Sequence, residues 1–167
     1  MLSTFEQFSV SPDAPSDPYL QQLGFIAQMT QGKQQRYYQW LLEQTKRVSL
    51  VSVRELQAEL GITAAWTKKH CKLKACYQNA TRVCDLHPDV RYVEGILLVH
   101  GMVPTEHAWN SYQGVYFDVT DEFLLGNRRD PHYEQISYTH AQVWRAMEET
   151  GHYGDLVRLH YVNEVEK

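Results

Sequence analysis

The first part of the chain carries apolar residues at helical spacing. Leu20, Leu23 and Ile26 lie three residues apart and predict a helix over residues 19–29. A break around Gly32 separates this helix from a second one. The second helix carries aromatic and aliphatic residues, namely Tyr37, Tyr38, Trp40, Leu41 and Leu42. Both helices are interpreted as packing elements.

Two shorter helices are predicted over residues 52–70. Ser52 and Glu55 have the spacing of a capping box, so a helix begins there and ends at Gly61. Thr63 can cap the helix that follows. The stretch VRELQAELGITAAWTKKH resembles a DNA-binding helix-turn-helix. Helix–glycine–helix corners also occur in unrelated folds, so DNA binding by this segment is kept as an alternative.

The helical pattern then gives way to strands. Residues 76–86 predict one more helix, with its apolar residues on one face. Three segments rich in β-branched, aromatic and aliphatic residues follow, at residues 91–101, 105–112 and 114–120. Three consecutive strands predict an antiparallel sheet.

The last part of the chain is predicted as loop, helix and strand. Residues 126–135 have loop composition, and Ser137 or Thr139 begins a helix that ends at Gly151. Residues 155–162 are compatible with a further strand. Helices followed by antiparallel strands predict an α+β fold, with the N-terminal helices packed on the sheet.

The length of 167 residues favours a single domain. Three prolines among the first eighteen residues favour an extended or mobile arm. The predicted organisation is a flexible arm at 1–18 and one α+β domain at 19–167, with a helical part at 19–87 and a sheet-rich part at 88–167.

Composition and charge narrow the function classes. A net charge of −4 and a pI near 6.0 argue against a broad nucleic-acid interface, which needs a basic surface. No apolar run approaches the roughly 20 residues that span a bilayer, and the N-terminus lacks a signal-peptide pattern. We therefore expect a cytoplasmic protein that does not bind membranes. Oligomeric state is left open.

A hairpin near residue 113 brings a histidine and a carboxylate together. Side chains alternate along strands, and paired residues share a face. If Gln113 and Gly114 form a two-residue turn, Tyr112 pairs with Val115, and His107 and Asp118 become diagonal neighbours on one face. A four-residue loop places the two directly opposite each other. A three-residue loop would separate them onto opposite faces.

Cys76 is the best candidate for a nucleophile that this pair would activate. It begins the predicted helix at 76–86, where the positive helix end favours a thiolate and the first amides can bind an oxyanion. Cys71 is the fallback, and Cys84 has the pattern of a buried residue. The spacing of His70 and the three cysteines matches no common zinc pattern, so no metal is expected.

The residues around this site resemble the transglutaminase-like, or papain-like, superfamily. The chain order Cys76, His107, Asp118 matches that family, and HAWNSYQGVYFDVT resembles its motif of His-Ala-Trp, a turn and Asp-x-Thr, with Trp109 and Thr120 at the matching positions. The resemblance covers residues 74–120, has Tyr where the family usually has Trp after the cysteine, and has a short interval between cysteine and histidine. It implies a compact transglutaminase-like core.

The predicted function is cysteine-dependent acyl transfer, as an amide hydrolase, deamidase or transferase. Cys76 would be the nucleophile, His107 the base and Asp118 the orienting acid. Arylamine acetyltransferases share this residue order and are a variant of the same prediction. We expect a protein or small amide or acyl substrate and no cofactor. Residues expected to line the substrate or oxyanion site are Tyr77, Gln78, Asn79 and Trp109. The alternative is a non-catalytic regulatory or DNA-binding protein that uses residues 52–70.

Overall fold

The computed structural model describes residues 17–166 and divides the chain into two compact units between Glu43 and Gln44. The N-terminal unit contains α1 (Pro18–Met29) and most of α2 (Gly32–Gln44), which confirms the two helices predicted there. The arm predicted at 1–18 lies outside the described residues except for its last two, which begin α1. Asp17 is the N-cap of that helix and accepts hydrogen bonds from the Tyr19 and Leu20 amides.

The second unit contains one antiparallel sheet of five strands in the order β1-β5-β2-β3-β4. The strands are β1 (Lys46–Val48), β2 (Arg91–Val99), β3 (Val103–Tyr112), β4 (Val115–Phe117) and β5 (His132–Tyr138). Its helices are α3 (Gln57–Leu60), α4 (Ala64–His70), α5 (Cys76–Leu86), α6 (Val119–Leu124), α7 (His140–Thr150) and α8 (Leu156–His160). A 3-10 turn at Val53–Leu56 precedes α3, and a π-helical turn at Tyr161–Val165 follows α8. The predicted α+β class is confirmed.

Helix α5 packs on β2 and β3 and has the predicted bounds. Its apolar residues Ala80, Val83 and Cys84 are all buried. Asn110 on β3 donates from Nδ2 to the carbonyl of Ala80 at 2.9 Å. The helix that begins with Cys76 is therefore held to the strand that carries His107.

The helix–glycine–helix corner at 52–70 has the predicted caps. Ser52 and Glu55 form a capping box, and Thr63 accepts a hydrogen bond from the Trp66 amide at 3.0 Å. Gly61 has a φ of +67°, the left-handed conformation that glycine adopts without a steric cost.

The strand predicted at 114–120 is wrong in its second half. β4 ends at Phe117, and Asp118 is instead the N-cap of α6. The Oδ1 atom of Asp118 accepts hydrogen bonds from the amides of Thr120 at 2.8 Å and Asp121 at 3.1 Å. By accepting the amides two and three residues ahead, Asp118 starts a helix, and this competes with strand pairing. Here the cap outweighs the β-branched residues that suggested a strand.

Two further predictions near the C-terminus are wrong. The loop predicted at 126–135 extends too far, since His132–Tyr138 is strand β5, where buried His132 and Ile136 pack into the unit. The strand predicted at 155–162 is helix α8 followed by a π turn. The first amides of α8 bond to a buried carboxylate, Glu94, and not to a neighbouring strand. The predicted helix ending at Gly151 is confirmed, with Thr139 as its cap.

Gly95 lies where β2 approaches β5 most closely. The pairing of these strands shifts register between Glu94 and Gly95. A Cβ atom at Gly95 would lie 2.0 Å from the carbonyl oxygen of Tyr133. Only glycine fits this β-bulge without moving the strand.

Within the part of the chain that the structure describes, no helix combines the length and apolar character required to cross a membrane.

Candidate active site

The hairpin that carries His107 adopts the predicted two-residue turn. Tyr112 pairs with Val115, and Gln113 and Gly114 both have positive φ, at 49° and 85°. Pairing between β3 and β4 ends at Phe117, so the chain is free to turn at Asp118. The second oxygen of that residue, Oδ2, then lies 2.7 Å from His107 Nε2.

Both members of this pair are buried, at 4% exposure for His107 and 2% for Asp118. Burial would lower the pKa of His107, but the charge and hydrogen bond of Asp118 and the hydrogen bond with Cys76 outweigh it and raise that pKa. Burial likewise opposes ionisation of Asp118, yet the two histidines beside it lower the pKa of its carboxyl. Asp118 therefore favours the protonated form of the His107 imidazole, which is the form that results when His107 accepts a proton.

Cys76 interacts with the His107 ring and is one of the groups that raise the pKa of that imidazole. Because His107 Nε2 faces Asp118, Nδ1 is the ring nitrogen left for the thiol. Cysteine, histidine and aspartate thus stand in the order that a nucleophile, its base and an orienting acid require.

The other two cysteines differ from Cys76 in their surroundings. Cys71 and Cys84 are buried, whereas Cys76 is partly exposed. Burial raises the pKa of Cys71 to about 11 and that of Cys84 to about 12. Neither is suited to act as a thiolate near neutral pH.

The start of α5 offers backbone donors next to the thiol. Its N-cap residue, Ala75, has no side-chain cap, and the first α5 amide with a helical partner is that of Asn79. In the described structure no acceptor is assigned to the amides of Cys76, Tyr77 and Gln78. Such open amides can bind a developing oxyanion.

The four predicted lining residues separate into two groups. Tyr77 and Gln78 are partly exposed beside Cys76. The Tyr77 ring packs against Gly154, where a Cβ would lie 2.7 Å from it, and its hydroxyl pKa is raised by burial and by Glu94.

Asn79 and Trp109 instead lie in the interior. Asn79 bonds to the backbone N–H and carbonyl of Lys72 and donates to Thr120 Oγ1 at 3.0 Å. Trp109 stacks on His107 with ring centroids 6.0 Å apart, and no partner is assigned to its indole N–H within the described residues. Both residues therefore support the site from the protein interior.

Sequence reasoning missed His132. Its Nε2 lies 3.1 Å from the same Asp118 Oδ2 that contacts His107. The residue is 1% exposed, and its ring meets Trp109 edge-on at 5.0 Å. Residues 126–135 were predicted to be a loop, so strand alternation was not considered there. The inward direction of the His132 side chain was missed for this reason.

Sequence reasoning also gave no indication that Glu94, on β2, is buried. Glu94 is 3% exposed, and Tyr92 donates its hydroxyl to Glu94 Oε2 at 2.6 Å. The other oxygen accepts the Leu156 amide at 2.8 Å. Desolvation is the main reason that the pKa of Glu94 rises to about 7.

His107, Asp118 and His132 form the one group among the described residues with ligand atoms close enough to hold a metal ion. The contacts of 2.7 and 3.1 Å from Asp118 are direct hydrogen-bond distances. The three side chains are therefore joined to one another by hydrogen bonds through Asp118.

A cavity of about 220 Å³ lies beside Asp118 and His132. Cys76 and His107 do not line it. It therefore borders Asp118 and His132, on the side of the site away from the thiol. Its remaining walls come from residues 47–52, Asp121, Glu122, Asn127 and residues 129–131.

Comparison of the chain with protein-family models, with curated proteins and with solved structures found no match.

Proposed function

We propose that this protein is a cysteine-dependent acyl-transfer enzyme with Cys76, His107 and Asp118 as its catalytic triad. The observation that carries the proposal is the buried imidazole that contacts a carboxylate at 2.7 Å and interacts with the thiol that begins α5. The order of the three residues also supports membership of the transglutaminase-like superfamily. Cys76 begins a helix, His107 lies on β3, and Asp118 directly follows the adjacent strand β4.

In the proposed reaction the Cys76 thiol gives its proton to His107 and attacks the acyl carbon of an amide or ester. The tetrahedral intermediate collapses, the bond to the leaving group breaks, and that group takes the proton from His107. Water or an amine then attacks the thioester and gives a proton to His107. The carbon–sulfur bond breaks, and the proton returns to the sulfur.

The surrounding residues have distinct parts in this proposal. The amides of Tyr77 and Gln78 are oxyanion donors, since they open α5 beside the thiol. The side chains of these two residues line the substrate cleft. Asn79 and Trp109 hold the helix and the imidazole in position. The substrate is a protein or a small amide or acyl compound.

A cytoplasmic location is part of the same proposal. All three cysteines are free, as expected of a reducing compartment. A thiol nucleophile also remains active there without a reductase dedicated to it.

Alkylation by iodoacetamide near pH 7 tests the nucleophile without knowledge of the substrate. We expect Cys76 to react much faster than Cys71 and Cys84, with the modified residue identified by mass spectrometry. His107→Ala should slow the reaction at Cys76, and Cys84→Ala is the matched control. Equal, slow labelling of all three cysteines would refute an activated thiol.

A generic acyl donor tests the acyl-enzyme. With p-nitrophenyl acetate we expect a burst of p-nitrophenolate and an acetyl group on Cys76. Cys76→Ala and His107→Ala should each abolish the burst while thermal unfolding stays cooperative. A burst of normal size in either variant would contradict the mechanism.

A second candidate function is DNA binding by residues 52–70. The observation in its favour is that Lys68, Lys69 and His70 are exposed in the last turn of α4, after the turn at Gly61. Salt-dependent binding to duplex DNA that is lost in a Lys68→Ala, Lys69→Ala variant would support it. Absence of binding at low salt would leave acyl transfer as the sole proposal.

A further inference from the structure

Asp118 is contacted by two histidines at one oxygen. His107 Nε2 lies 2.7 Å and His132 Nε2 lies 3.1 Å from Asp118 Oδ2. The other oxygen, Oδ1, accepts two backbone amides at the start of α6. The triad described above uses His107 and leaves the second imidazole without a function.

Both ring nitrogens of His132 face oxygen atoms that accept hydrogen bonds. Nδ1 lies 2.8 Å from the carbonyl oxygen of Asp130, and a carbonyl can only accept. Nε2 faces the carboxylate of Asp118, which is also an acceptor. A neutral imidazole carries one N–H and can satisfy only one of these contacts. Both are satisfied when both nitrogens carry protons.

The segment that supplies the Asp130 carbonyl is fixed from several directions. Asp121 on α6 accepts the Arg128 and Arg129 amides at 3.3 and 3.1 Å. Asp130 itself accepts the amide of His100 at 3.1 Å. The carbonyl is therefore a built partner for His132 and does not depend on a flexible loop.

Charge counting points the same way. If Cys76 and His107 exchange one proton between them and Asp118 is a carboxylate, these three groups together carry one negative charge, with or without the proton transfer. A protonated His132 brings the sum to zero, which lowers the cost of burying these groups. The cavity beside His132 is also lined by charged groups, namely Arg47, Asp121, Glu122, Arg129 and Asp130.

We propose that His132 is a positioning residue of the active site, a doubly protonated imidazole that fixes Asp118 Oδ2 toward His107 and balances its charge. This inference rests on the acyl-transfer function proposed above. His132 acts through Asp118. The positive charge of His132 weakens the stabilisation of the His107 imidazolium by the Asp118 carboxylate. His107 can therefore still release its proton to the leaving group.

The pH dependence of Cys76 alkylation by iodoacetamide tests the effect on the triad. Removal of a nearby positive charge makes every neighbouring group harder to deprotonate. In His132→Gln and His132→Leu we therefore expect the midpoint of the alkylation profile to move to higher pH by roughly one unit. His152→Gln, which changes an exposed histidine, is the matched control and should reproduce the wild-type profile.

His132→Gln separates charge from folding. Its amide can still donate to Asp118 but carries no charge, so we expect it to fold like the wild type and to show the same displacement as His132→Leu. A merely structural role would lower stability without moving the midpoint. Profiles of both variants that coincide with the wild type would overturn the positioning role.

A spectroscopic measurement addresses His132 without relying on the thiol. Long-range proton–nitrogen correlation spectra of the wild-type protein at neutral pH should show both His132 ring nitrogens protonated, with the signals assigned by their loss in His132→Gln. A ring with one unprotonated nitrogen would overturn the inference. If the wild-type Cys76 reacts slowly, the acyl-transfer function fails and the positioning role falls with it. In that case the spectrum tests only whether both ring nitrogens of His132 carry protons.

Discussion

Glu94 provides a quantitative test of how the site's surroundings are built. Its carboxyl lies inside the second unit, between the Tyr92 hydroxyl and the amides of Leu156 and Val157 at the start of α8. Burial favours the neutral form, and these hydrogen bonds only partly offset it, so the pKa rises from 4.5 to about 7.

The sign and size of the effect follow from this pKa. The folded protein holds the Glu94 proton more tightly than the unfolded chain does. The resulting stability is fully present below the unfolded pKa and is lost as pH rises through the folded pKa near 7. A tenfold change in proton affinity is about 1.4 kcal/mol, so moving a pKa from 4.5 to about 7 corresponds to about 3 kcal/mol.

Glu94→Gln imitates the protonated carboxyl and cannot ionise. We expect the free energy of unfolding of the variant, minus that of the wild type, to increase by about 3 kcal/mol between roughly pH 4 and pH 8. Urea unfolding at 25 °C, followed by circular dichroism at each pH, measures this difference. Groups that titrate equally in both proteins cancel.

Glu106→Gln is the matched control, because Glu106 is an exposed carboxylate on the neighbouring strand. Its difference from the wild type should stay flat over the same range. A flat curve for Glu94→Gln would show that Glu94 ionises as easily in the folded protein as in the unfolded chain. The argument from burial would then be refuted.

Substitutions at three further positions test the framework by urea unfolding. Asn79→Ala should cost roughly 3 kcal/mol, because it leaves the Thr120 hydroxyl and a backbone pair without partners; a loss below about 1 kcal/mol would contradict this bracing role. Gly95→Ala should prevent native folding or destabilise it by several kcal/mol, since its Cβ would collide with the Tyr133 carbonyl; a native-like variant would contradict the close approach. Asp118→Asn should keep the α6 cap, while Asp118→Ala should cost about 1 kcal/mol more; equal stabilities would argue against the cap.

Local signals in the sequence predicted much of this fold. The bounds of α5, the capping box at Ser52, the cap at Thr139 and the two-residue turn at Gln113 all depend on residues within a few positions of one another. The α+β class followed from the order of these elements. The alternation of side chains along β3 also predicted correctly that His107 lies near Asp118, although Asp118 was wrongly assigned to a strand.

The missed features depend on partners distant in the chain. Residues 155–162 contain enough aliphatic residues for a strand, and the helix forms where Glu94, sixty-two positions earlier, accepts the Leu156 amide. His132 belongs to the site only because β5 lies beside β2 in the sheet. A single sequence contains no local pattern that reports either contact.

The departure of the chain from β structure at Asp118 is what completes the candidate site. As the N-cap of α6, Asp118 uses one oxygen for backbone amides and leaves the other for His107. Two residues later, Thr120 accepts a hydrogen bond from Asn79, which lies one turn after Cys76 on α5. The helix that begins with Cys76 is therefore bonded directly to the helix that Asp118 caps, in addition to its packing on the sheet. Because two independent contacts hold these two helices together, the fold itself fixes the relative position of Cys76 and Asp118.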